Sequence, residues 1–531
     1  MLTIVYQADG GKVKTSASDD TVHIEEQVNG SRTTVTVRAE KRLVLGNAKR
    51  QLAEKFSGKD LVMANGYQSW TETREFADGE YLNDLARRPR PIVNRFHFKQ
   101  YGSQAFMPMP SGIHQGWEFS YVKGDKPLFI GSLNYKNAYL IILFDRRTGK
   151  ITLESDAEGR VLEAGETFTL FDYVTAEDGT AYFERFKPVS DKKLFGYTSW
   201  YNHYQNINEE LINTALDEAD ERFDLFQIDD GFETFVGDWL DVDPAKFPNG
   251  LTPVIERIHA KNMLAGIWLA PLVAEDSSRL MKKHPDWIAK TEAGHKIYAG
   301  SNWSGDCALD LNNQEAVAYI RHVLKHYVNL GIDFFKLDFL YASNLKPLQG
   351  KTRAETSEFA CGLIREELQG KIILGCGVPL FNAAERFDFC RIGPDVSLKF
   401  DDAAYMRVFH PERVSTKVTL LNTMFRYPMD GHLFMNDPDV FLLRDDNMSM
   451  EKEQRKSLAV INGLFGSLLM TSDNIARYDR EKKKILEEML ALFKRGKVLS
   501  TRRTGNEIVV VYEMDGKIRD FIYSIEDGRM R

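Results

Sequence analysis

Two acidic residues in this sequence stand where a pair of carboxyl groups can act on one bond. Asp338 closes the apolar run Ile332 to Asp338 (IDFFKLD), and Lys336 precedes it by two positions. Residues two apart in a strand share a face, so Lys336 and Asp338 are expected on the same side. An ammonium beside a carboxylate keeps it ionised, the state a nucleophilic carboxylate needs. Asp395 follows Pro394 in a loop just past the run FCRIG at 389–393. Near the charge of Asp338 it would begin a cycle protonated, as a general acid. Glycoside hydrolysis uses such an asymmetric pair, held about 5–5.5 Å apart in retaining enzymes and about 6.5–9.5 Å apart in inverting ones. Sequence leaves both separations open.

Other polar and aromatic residues fall at comparable positions. Asp229-Asp230-Gly231 ends one apolar run, Trp268 lies in another, and Gly375-Cys376-Gly377 and Arg391 close two more. Each has a plain structural alternative. An aspartate at a strand end often caps a helix, Lys336 can pair with Asp338 for stability alone, and a lone Cys376 packs as a small apolar group. Trp239 and Trp268 suit either a core or a sugar face. Asp238, Asp241 and Asp243 lack the twelve-residue calcium-loop pattern and read as a solvated loop. His203 has no His-x-x-x-His partner, so zinc is not expected.

The elements needed to gather these residues are visible in the pattern. Residues 1–185 favour strands, with TTVTV at 33–37 and AYLIILF at 138–144, and read as a β-sandwich. Over 190–480, short apolar strands alternate with amphipathic helices. Strands are expected near 195–201, 224–229, 264–270, 332–338, 372–377, 389–393, 432–436 and 466–471. Eight such units predict a (β/α)8 barrel, whose active site lies at the C-terminal ends of the strands. The competing open sheet lacks a Gly-x-Gly-x-x-Gly after its first strand. Thr252-Pro253 reads as an N-cap and first position, and Asn313 as a second cap. Residues 485–531 read as a small β domain, with a hairpin turning at Asp515-Gly516. The fold class is therefore multidomain α/β.

Bulk properties narrow the function. With 531 residues, 43% apolar, 27% charged and a formal charge of −8, the chain is globular and offers no basic surface for nucleic acid or anionic membrane. It shows no run of 18 apolar residues and no signal-like N-terminus, and its four cysteines have no metal-finger spacing. A cytoplasmic protein with reduced thiols is expected.

The segments YTSWYN (197–202), FQIDDGFE (226–233), GDWL (237–240), FPNGL (247–251), GIWLAP (266–271), FFKLDF (334–339), GCGVPL (375–380), RIGPD (391–395) and NDPDVFLLR (436–444) together resemble glycoside hydrolase family 36, most closely its short bacterial α-galactosidases. The resemblance implies a sandwich, a catalytic barrel and a C-terminal β domain. It also implies exo-acting hydrolysis of terminal α-linked galactose from melibiose- or raffinose-type oligosaccharides, with retention and without cofactor or metal. Asp338 inherits the role of nucleophile and Asp395 that of acid/base. Asp229 and Asp230 would hold distal hydroxyls, and Lys336 and Arg391 hydroxyls near the reacting carbon. Trp268 would wall the sugar pocket, and Trp70 would reach it from the sandwich. Trp200 and Cys376 complete the expected substrate-binding set. The loop at Gly375-Cys376-Gly377 departs from the family's usual Cys-Ser-Gly-Gly. It leaves α-N-acetylgalactosaminidase or transglycosylase activity as the alternative, and the oligomeric state stays open. Outside this class, a lyase with a Schiff base on Lys336 would give the aspartate pair no task, and a non-catalytic sugar binder would not need both acids.

Overall fold

The computed structural model describes residues 1–8, 10–80, 112–401 and 414–531. The parts of the expected sandwich at 81–111 and of the expected barrel at 402–413 lie outside the described residues.

The N-terminal strands form two antiparallel sheets of eight and seven strands. The strand Arg32–Ala39 shows why they pack. Val35 and Val37 alternate inward and are fully buried, while Arg38 faces solvent. Leu140, Ile142 and Phe144 of the strand Tyr139–Asp145 meet them in one core with Phe171.

The central region is a parallel barrel of Leu194–Thr198, Leu225–Ile228, Leu264–Leu269, Phe334–Leu337, Ile372–Gly375, Phe389–Arg391, Met435–Asp437 and Leu468–Thr471, here barrel strands one to eight. Strands one to seven pair in chain order, and strand eight pairs with strand one. The seam between seven and eight is held by the Ser467 N–H donating to the Asn436 carbonyl at 2.9 Å and by a bridge between Val440 and Met470. All eight strands overlap the runs expected from the sequence, strand seven (expected near 432–436) by only two residues.

Caps agree in part. The Asn313 side chain accepts from the N–H groups of Glu315 and Ala316 and starts the helix Gln314–Asn329. Thr252 does not cap. It is the first helical residue of Thr252–Ala260, Leu251 holds the cap position, and no side chain bonds there. A three-stranded sheet of Lys497–Thr504, Glu507–Met514 and Lys517–Ser524 follows the helix Arg480–Arg495. Its hairpin turns at Asp515 and Gly516, both with positive φ. Ile508, Val510 and Tyr523 pack this sheet into one cluster with Leu458, Ile461 and Leu464 of the helix Lys452–Phe465.

The sandwich is fastened to the mouth of the barrel by Arg426, at the end of the helix Thr416–Phe425. This fully buried guanidinium donates to Asn65 Oδ1 (3.0 Å), to the carbonyls of Ser69 (2.7 Å), Gly66 (3.3 Å) and Gln68 (3.2 Å), and to that of Ile392 (2.7 Å). Asn422 of the same helix accepts from Thr73 N–H at 2.7 Å. One arginine thus ties the segment 65–70 to the loop that leads into Asp395.

Candidate active site

Barrel strands two and four place the central ion pair. Lys336 Nζ donates to Asp229 Oδ2 at 2.9 Å, and both side chains are buried. Gln227 (2.7 Å) and Thr198 (3.3 Å) donate to the same oxygen, and the Asp230 N–H donates to Oδ1 at 3.0 Å. The structural alternative of a Lys336–Asp338 pair gives way to an ion pair with Asp229, across on strand two. Burial pulls the Lys336 ammonium down, but the charges of Asp229 and Asp338, with Cys376 beside them, together outweigh it and raise its pKa. A lysine held charged in this way is a poor Schiff-base nucleophile.

Asp338 stands at the end of strand four, buried. Trp268 Nε1–H donates to its Oδ2 at 3.1 Å, and the Phe339 N–H donates to Oδ1 at 2.9 Å. Phe339 takes a left-handed conformation, φ +56°, as it makes that bond. Burial pushes the Asp338 carboxyl above the usual range. The Lys336 charge opposes this and the Asp395 charge adds to it. Lys336 does pull the carboxyl down, as the sequence suggests, and burial outweighs it in the net shift. Asp338 stands at the end of strand four and Asp395 just past strand six. Asp395 is the more open of the two, with about a third of its side chain exposed.

Arg391 is fully engaged by acids. It donates to Asp437 Oδ2 (2.8 Å) and Asp395 Oδ1 (3.1 Å), and it ion-pairs with Asp439 Oδ1 (2.9 Å). The role expected for it, binding sugar hydroxyls, has to compete with three carboxylates.

Trp70 lies in the segment 65–70 that Arg426 ties to the barrel. Its Nε1–H donates to Cys376 Sγ at 3.4 Å, and its ring meets Phe339 and Tyr341 edge-on at 5.2 and 5.6 Å. Gly377 makes the approach possible. It has φ +55°, and a Cβ there would stand 2.9 Å from the Trp70 ring. Burial pushes the Cys376 thiol well up, and the Asp338 charge adds to the rise. Trp200 is half-buried and edge-on to Tyr204 at 5.1 Å. The Asp395 charge reaches Tyr204 as well.

Some residues were missed or misread from sequence. Trp303 donates from Nε1 to Asp230 Oδ2 at 3.0 Å, and its ring lies 6.0 Å from Trp268 and 5.3 Å from Phe339. Gln205 donates to the same Asp230 oxygen at 2.9 Å. Burial, joined by the neighbouring Asp229 charge, raises the Asp230 carboxyl, and Glu233 beside it is raised further. The only signal for Trp303 was an indole in a polar turn. Trp239 is core, 1% exposed and edge-on to Trp268 at 5.7 Å. Asp238 is not solvated: it is buried and accepts from the N–H groups of Arg279 and Leu280 at 2.8 Å each, at the start of the helix Arg279–Lys283. Asp473, at the end of strand eight, is a structural knot with Arg444 and Tyr478.

A (β/α)8 barrel that gathers two interacting acids, a lysine and several indoles at the C-terminal ends of its strands has the frame of a glycoside hydrolase. Residues 180–359 match the Melibiase family model. Over that stretch the chain carries a Melibiase domain. Alpha-galactosidase 2 of Pediococcus pentosaceus is 45% identical over 104 residues, 19% of this chain and 14% of that protein. The alpha-galactosidase of Escherichia coli is 33% identical over 130 residues, 23% of this chain and 18% of that protein. The matched stretches thus span about a fifth or less of these relatives. In fold, the chain is similar to TtGalA, an alpha-galactosidase from Thermus thermophilus solved with p-nitrophenyl alpha-D-galactopyranoside, with a TM-score of 0.73, 23% identity and 98% of each chain covered. It is also similar to the GH36 alpha-galactosidase AgaA from Geobacillus stearothermophilus, with a TM-score of 0.62, 12% identity, and 98% of this chain and 80% of that one covered.

Proposed function

We propose that this protein is a retaining, exo-acting α-galactosidase that releases terminal α-linked galactose from small oligosaccharides of the melibiose and raffinose type. The observation that carries the reading is the asymmetry of the acid pair. Asp338 is buried with a donor on each oxygen, while Asp395 is partly open to solvent and lies within reach of its charge. A fixed carboxylate suits attack on the anomeric carbon, and an accessible acid suits exchange of protons with the departing oxygen and then with water. Asp338 attacks as Asp395 protonates the leaving group. Asp395 then deprotonates water, which frees the sugar with its α configuration kept.

Asp230 takes a distal hydroxyl, and Trp268 and Trp70 wall the ring. Lys336 and Asp229 act as one buried unit that organises the floor. Trp200 lies on the leaving-group side. TtGalA was also solved with stachyose, and an AgaA variant with raffinose, which supports a small oligosaccharide as the substrate class. Among the described residues no helix is long and apolar enough to cross a membrane. The four buried free cysteines fit a cytoplasmic setting.

The test is a panel of nitrophenyl α-glycosides run on wild type and on Asp338→Ala. Wild type should turn over the galactoside in preference to the N-acetylgalactosaminide, and the variant should be inactive but folded. Azide should restore transfer and give the β-galactosyl azide. A variant with wild-type turnover would refute the assignment.

A further inference from the structure

The segment NDPDVFLLR places an aspartate, Asp439, that the mechanism above does not use. Its carboxylate is fully buried, and its backbone sits in the left-handed region at φ +76°, where non-glycine residues are uncommon and strain collects at working sites. Oδ2 accepts from the Val396 N–H at 2.7 Å, and Val396 is the residue directly after Asp395. The Tyr201 hydroxyl donates to the same oxygen. Oδ1 pairs with Arg391 Nη2 at 2.9 Å, and a second nitrogen of that guanidinium donates to Asp395 Oδ1 at 3.1 Å. The Asp439 N–H is itself held by Asp437 Oδ1 at 2.8 Å.

Resting on the reading of Asp395 as acid/base, we propose that Asp439 is a positioning residue for proton transfer, anchoring Asp395 from below through the Val396 N–H and from the side through Arg391. A hydrogen bond to the backbone just past Asp395 and an ion pair through Arg391 link one buried group to both the chain and the carboxylate of Asp395. A small misplacement of a proton donor is costly, since about 1 Å can forfeit on the order of a hundredfold in rate. The groups that face Asp439 are Arg391, Asp437, Asp395 and Tyr201. Burial and the two acids raise its own carboxyl, while Arg391 and the tyrosine hydroxyl oppose them.

A purely structural residue would lower activity on every galactoside alike. A residue that positions the acid lowers it in proportion to how much the leaving group needs a proton. The experiment compares kcat/KM on raffinose and on p-nitrophenyl α-galactoside for wild type, Asp439→Asn and Tyr201→Phe. For Asp439→Asn the expected loss on raffinose is about 10- to 100-fold, and on the nitrophenyl substrate about threefold or less. Tyr201→Phe, which keeps the ring and removes one tether, should show the same selectivity with a smaller loss. It carries the test if the asparagine variant fails to fold. Equal losses on both substrates in a folded variant would overturn the positioning role while leaving the α-galactosidase reading intact. Absence of wild-type turnover on either substrate would overturn both.

Discussion

Lys336→Met separates what the buried ion pair does for folding from what it does for chemistry. The substitution keeps the length of the side chain and removes its charge. Asp229, 2% exposed in its side chain, keeps Gln227, Thr198 and one backbone N–H but loses the only counter-ion paired with it among the described residues. Removing one partner of a buried pair costs about 3–5 kcal/mol, because the other charge stays buried and uncompensated. The apparent Tm should drop accordingly. Lys336 also opposes the burial that raises Asp338. Asp338 must be ionised to attack, so the rate falls as pH drops through its pKa. Taking the cation away raises that pKa further, and the acid limb of kcat/KM should move to higher pH. The double variant Asp229→Leu with Lys336→Met should regain part of the stability and none of the activity. Thermal unfolding and a pH–rate profile on one substrate read both effects. An acid limb that stays in place, or moves to lower pH, would refute the electrostatic account of Asp338.

Two further outcomes follow from burial and backbone. Gly377→Ala puts a Cβ 2.9 Å from the Trp70 ring and 3.2 Å from the Phe339 nitrogen at φ +55°. It should cost about 1–3 kcal/mol in thermal stability and lower kcat/KM by displacing Trp70. Burial pushes the Glu118 and Asp306 carboxyls up to about 8. Between about pH 4 and 8 the unfolded chain releases those protons while the folded chain keeps them, so stability should fall as pH rises and then level off. Glu118→Gln should flatten that slope in a series of Tm measurements, and an unchanged slope would show that Glu118 does not hold its proton.

How far the sequence could be read depended on whether a contact was local. The barrel strands and the Asn313 cap were legible because apolar periodicity and caps are set by near neighbours. The hairpin at Asp515-Gly516 was legible for the same reason, since both residues must take positive φ. The partner of Lys336 was not. Spacing of two put it on the face of Asp338, but nothing in the strand says that Asp229, 107 positions earlier, lies opposite. Arg391 likewise meets two acids, Asp437 and Asp439, supplied by the next strand and the loop after it. The desolvation that raises the Asp338 carboxyl is a property of the assembled core, invisible in a run of letters. Trp303 sits in an irregular excursion with φ +50°, where no period operates.

The account turns on which carboxylate forms a bond to the sugar. An activated fluorogalactoside that slows the second step would trap the covalent species, and peptide mass spectrometry would locate it. The adduct should sit on the peptide that carries Asp338 and be absent from Asp338→Ala. A stoichiometric adduct on Asp395, or no adduct together with a β-configured first product by NMR, would contradict it.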